Sequence, residues 1–117
     1  MAIPSGSGTE VLKRATATGD FDGIETILTV ASNHIYTILS ISICESASAN
    51  EVFWLSMTDA SNSNREIYIL REQAVNSNET FILNDKFVLS SGDTLKLQSG
   101  STCDVDVLIS YIDQDWS

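Results

Sequence analysis

The run Ile35–Cys44 reads IYTILSISIC. Ile35, Thr37, Leu39, Ile41 and Ile43 fall on one face of an extended chain. Tyr36, Ile38, Ser40, Ser42 and Cys44 fall on the other. A period of two built from β-branched residues is strand chemistry, and the first face is the more apolar. The second face is mixed, which suits partial cover by a neighbouring strand.

The same grammar extends to both sides of this run. Strands are predicted over Ile24–Val30, Val52–Met57, Ile67–Leu70, Thr80–Leu83 and Phe87–Leu89. Further ones are predicted around Leu95 and Leu97 and over Val105–Ile109. Polar stretches such as TDASNSN and NSN separate them, and ATATGD reads as a loop. A helix over Glu66–Val75 conflicts with the β-branched and aromatic REIYIL it contains. The only proline is Pro4, so no body strand carries a breaker. About eight short strands with polar turns predict an all-β fold, a single β-sandwich or jelly-roll-like domain. Residues 1–14 read as an extended N-terminal arm containing a short strand, and residues 15–117 as the sandwich.

Composition supports one domain and narrows its partners. The chain has 117 residues, of which 43% are hydrophobic, enough for a core. Six Lys and Arg against sixteen Asp and Glu give a net charge of −10. Such a surface repels phosphate backbones and anionic lipid, so neither nucleic acid nor membrane is expected as a partner. The acidity favours solubility at high copy number. No run approaches the ~20 apolar residues of a membrane span. The N-terminus lacks the basic and apolar regions of a secretory signal. The expected site of synthesis is therefore the cytoplasm, and Cys44 and Cys103 are expected to be free thiols.

Catalytic chemistry finds no support in the spacing of residues. His34, the lone histidine, stands at the start of the longest apolar strand without a nucleophile or acid placed beside it by sequence, and reads as structural. Asp20/Asp22, Asp104/Asp106 and Asp113/Asp115 each put two carboxylates on one strand face, a possible start for Ca²⁺. None is followed by the remaining ligands of a cation loop. No phosphate-binding loop is present. The chain is therefore read as a non-enzyme without cofactor, catalytic residues or metal site.

Two segments suit contact with a partner. Ser5-Gly6-Ser7-Gly8 forms a loose leader, and behind it stands the amphipathic stretch Glu10–Arg14. Such a strand can pair at the edge of its own sheet or at a neighbour's. Val11 and Leu12 are its candidate apolar anchors. Lys13 and Arg14 are candidates to meet acidic groups. Near the other end, Trp116 is either tucked against its own sandwich or docked on a partner.

Four segments carry a family likeness: IPSGSGTEVLKR, NHIYTILSISICE, ETFILNDKFVLSSGDTLKL and SYIDQDWS. With them the chain resembles small virion structural proteins of tailed bacteriophages. The motifs are structural rather than catalytic. The resemblance implies a capsid decoration, or cement, protein in the virion: a homotrimer that staples neighbouring subunits of the major capsid protein. The alternative it leaves open is a tail- or fibre-associated protein, including a receptor-binding one.

Overall fold

The computed structural model describes residues 9–116, without the side chains of 19–22 and 100–102. Its two longest strands, β1 (Thr9–Thr29) and β7 (Thr94–Asp115), pair antiparallel along nearly their whole length. Between them in the chain come β2 (His34–Glu45), β3 (Glu51–Asp59), a 3₁₀ turn (Ala60–Asn62), β4 (Arg65–Val75), β5 (Thr80–Leu83) and β6 (Phe87–Leu89).

β7 changes neighbours partway along. Its first part, Thr94–Gln98, lies between β1 and β3, and its second part, Val105–Asp115, lies between β1 and β2. β4 continues the sheet beyond β3, while β5 and β6 share the far side of β2. The hydrogen-bonded network is continuous, but the long β1–β7 ribbon carries it around a corner and makes two facing antiparallel sheets. At the corner Phe21 pairs with Cys103 and Gly23 with Ser99, so Asp22 alone opposes Gly100, Ser101 and Thr102. Such a bulge bends a strand and lets it serve two sheets. Gly23, at φ 87°, takes the left-handed conformation that only glycine adopts cheaply.

The core follows from the alternation of β7. Leu95, Leu97, Cys103, Val105, Val107, Ile109 and Tyr111 all point inward and are buried. They meet Ile38, Ile41 and Ile43 of β2, Phe53 and Leu55 of β3, and Leu83 and Leu89 of β5 and β6 in one cluster. The rings of Phe53 and Phe81 meet edge-on with centroids 6.0 Å apart, joining the two layers. Each fully buried Ile, Leu or Phe contributes about 1.5–3 kcal/mol by leaving water. The sandwich is the fold the strand pattern predicts.

Three details differ from the sequence reading. First, ATATGD is strand, not loop. Ala15 and Ala17 face inward against Ile109 and Val107, and small residues suffice there because their partners are large. Second, the strands expected separately around Leu95 and over Val105–Ile109 are parts of one strand bent at the corner. Third, the faces of β2 are exchanged partway. A bulge between Ile38 and Ser40 inserts Leu39. Tyr36 and Ile38 therefore point inward with Ile41 and Ile43, and Leu39 is turned toward the outer surface. The boundary drawn between residues 14 and 15 falls inside β1, which is continuous from Thr9. The leader Met1–Gly8 lies outside the described residues.

Two buried carboxylates fix the loops. Glu45 accepts backbone N–H bonds from Ala47, Ala49 and Asn78 at 2.7, 3.2 and 3.0 Å, tying the β2–β3 and β4–β5 loops together. These bonds, that from Asn78 foremost, hold its carboxyl below the usual range against the opposing effect of burial. Asp93 accepts from the backbone of Ala60 and Ser90, both at 2.8 Å. It thereby clips the 3₁₀ turn to the β6–β7 turn.

Candidate interaction surface

The first half of β1 lies at the border of its sheet. β7 is the one strand hydrogen-bonded to it among the described residues, so its other edge faces away from the sheet. Register fixes where each side chain goes. Val11, Lys13, Ala15 and Ala17 stand opposite the inward Asp113, Tyr111, Ile109 and Val107. Glu10, Leu12 and Arg14 stand opposite Gln114, Ile112 and Ser110, on the outer face.

The four residues singled out on the arm thus divide into two pairs. Leu12 and Arg14 lie outside, Leu12 being 73% exposed. Val11 is 45% exposed at the rim of the inner face. Lys13 is held in the protein's own sheet, its Nζ 2.8 Å from Oδ2 of Asp113. That hydrogen bond, with the attraction of the same carboxylate, raises the Lys13 pKa.

Asp113 is the centre of a small charged cluster. It is 3% exposed, and its Oδ1 is 2.6 Å from Nδ1 of His34. Nε2 of the same ring is 3.6 Å from Asp115. Burial pushes the Asp113 carboxyl upward, but the hydrogen bonds from Lys13 and His34 outweigh it and leave the pKa lowered. The cluster joins the start of β1, the start of β2 and the end of β7. It places both imidazole nitrogens beside carboxylates, an arrangement that orients the ring and ties strands together. Trp116 lies beside this end, half-buried, with its backbone N–H donated to the Asn33 carbonyl at 3.1 Å. Its indole Nε1 is buried without a hydrogen-bond partner among the described residues.

The outer face carries a groove that the sequence reading did not anticipate. Leu12, Lys13, Arg14, Leu39, Ser40 and Ser110 line a depression of about 580 Å³. Its floor is low because Ser40 and Ser110 are paired neighbours with small side chains. The bulge turns Leu39 outward to form one wall, and Leu12 forms the other. Exposed Ile82, Val88 and Leu108 lie on the same face. Leucines wall the groove and Arg14 brings a cation to its lining, in a chain whose charge is otherwise strongly negative.

The other candidate groups are dispersed. Asp104 donates its backbone N–H to Glu51, and Asp106 accepts from the Thr18 hydroxyl. The side chains of Asp20 and Asp22 lie outside the described ones. Among the described residues no three His, Cys, Asp or Glu side chains form a metal-ligating group. Cys44 and Cys103 are both free. They point to opposite sides of their sheet, and burial pushes the Cys103 thiol up to about 11.

No protein-family model and no curated protein sequence matches the chain. Solved structures do. One comes from Bacillus endospore appendages, described as disulfide-linked pili, with a TM-score of 0.56 at 11% identity over 100% of this chain and 97% of that one. Another comes from the acid-stable capsid of Helicobacter pylori bacteriophage KHP30, with a TM-score of 0.54 at 14% identity over 95% of each chain. A third, from infectious bursal disease virus, gives 0.56 at 8% identity over 99% of this chain but 34% of that one. At these identities the likeness is one of fold. It is a fold found in capsids and in an endospore appendage, and in two of these cases it accounts for nearly the whole of both chains.

Proposed function

We propose that this chain is a structural protein of a bacteriophage virion, a decoration protein that coats the capsid exterior and contacts neighbouring coat subunits. The observation that carries the reading is the outer face of the β1–β7–β2 sheet. It is an apolar groove between Leu12 and Leu39 with Arg14 at its margin, on a small sandwich whose charged cluster serves to hold strands together. The sequence resemblance to phage virion proteins and the end-to-end match to a chain of a phage capsid support it. Binding of coat protein would cover the groove between Leu12 and Leu39, while repetition over a lattice would multiply modest single contacts. The excess negative charge would favour solubility before assembly. In this reading the chain is not an enzyme, and its partners are virion proteins.

The attachment device differs from a wholly detached arm. Glu10–Arg14 belongs to β1, so the surface of Leu12 and Arg14 acts from a fixed position. Labelling purified virions with an antibody against the chain tests the proposal. Label distributed over the shell supports decoration. Label restricted to the tail replaces it with the tail- or fibre-associated reading.

A further inference from the structure

We infer that the edge of β1 left unpaired among the described residues is a self-pairing edge, at which two copies of this chain join antiparallel about a two-fold axis through Leu12. The inference is independent of any virion role. An unpaired strand edge presents a row of backbone donors and acceptors to any second strand, and soluble proteins usually blunt such edges with lysines, prolines or inward-pointing charges. Over Thr9–Thr18 there is no proline. The one residue of the blunting kind that faces inward, Lys13, is drawn onto Asp113 and neutralised there.

The side chains then select a partner and a register. Centring the pair on Leu12 puts Leu12 against Leu12 of the second copy. Glu10 of each copy then opposes Arg14 of the other, twice over, on the outer face. Val11 opposes Lys13 on the inner face, where the lysine stem packs on the valine. Thr9 opposes Ala15. Shifting the axis by one residue to Lys13 puts two lysines face to face and leaves Glu10 against Thr16. The edge is thus complementary to itself in charge and apolar character in the register centred on Leu12. A self-complementary patch of this kind closes a two-fold dimer. It also makes one continuous sheet of the two outer faces, leaving their grooves side by side and free for another protein.

Charge exchange tests both the contact and its register. Sedimentation equilibrium of the full chain is expected to give the mass of two copies at high micromolar concentration. Glu10→Arg and Arg14→Glu each replace two attractive cross-strand pairs by two repulsive ones, which should weaken association about tenfold or more. The double variant Glu10→Arg/Arg14→Glu restores the opposition and should return the dissociation constant to near that of the unaltered chain. Removal of residues 2–8 should leave the mass unchanged. A monomer at about 100 μM, above the micromolar range of a weak specific contact, overturns the inference. So does a double variant no tighter than the singles, a three-chain mass indifferent to the exchange, or association lost with residues 2–8. Circular dichroism of each variant confirms that the fold is intact, which the exposure of Glu10 and Arg14 leads us to expect.

Discussion

Replacing Asp93 by alanine probes the clip that joins the corners of the sandwich. The residue is 4% exposed, and its two carboxylate oxygens accept separate N–H groups, Oδ1 from Ala60 and Oδ2 from Ser90, each at 2.8 Å. Its own backbone also bridges Ser90 and Val30, so the turn has to keep its shape for β1 to end where it does. Alanine strands two donors that water reaches poorly. Each costs about 1–3 kcal/mol, so the sum is about 2–5 kcal/mol once partial rehydration is allowed. For a domain of this size that corresponds to a fall in Tm of about 10–20 °C. The change Asp93→Asn keeps an oxygen for one donor but turns an amide toward the other, so it should lose an appreciable part of the same stability. Urea unfolding followed by circular dichroism gives both values. A loss below about 0.5 kcal/mol for alanine, the range of an ordinary surface change, would refute the reasoning.

Three further outcomes follow from the same structure. Asp113 has a folded pKa below its ordinary value of 3.8, so its contribution is present above that value and is lost as pH falls through the folded one. Urea midpoints taken downward from pH 7 should therefore drop less steeply at the acid end for Asp113→Asn than for the unaltered chain. Gly92 has φ 83°, and an added Cβ would come within 3.1 Å of the Ala60 side chain. Gly92→Ala should accordingly cost about 1–2 kcal/mol, and an unchanged Tm would contradict the turn geometry. A thiol reagent at pH 8 should modify Cys44 in the native protein and reach Cys103 only on unfolding, since Cys103 is buried and titrates near 11. Mass spectrometry of the labelled peptides distinguishes the two.

The sandwich is legible in the sequence because its inward residues are large and alternate. Phe53, Leu55, Leu95, Leu97, Val105, Val107 and Ile109 announce their strands without help from elsewhere. The length of β1 is not legible, because a strand whose inward residues are Ala15 and Ala17 has no hydrophobic period to read. What makes it a strand is the partner it lies against. The faces of β2 escape a linear reading for a related reason. The insertion of Leu39 is set by the register with β7, and nothing within IYTILSISIC marks it. The groove depends on that insertion and on Ser110 meeting Ser40 across strands, so it too lies beyond such a reading. Asp113 is different, because a signal for it exists. It continues the inward series of Val105, Val107, Ile109 and Tyr111, and an acid at the next inward place needs a cation. The sequence reading gives Lys13 to a partner protein, whereas in the fold much of its charge is spent on that acid.

The most direct test of a structural role on the capsid surface is a cryo-EM reconstruction of virions that contain this chain. The account predicts shell density that fits the two-layer sandwich, with Leu12, Leu39 and Arg14 turned onto coat subunits. Density confined to the tail, or a shell-bound sandwich with that face toward solvent, would contradict it.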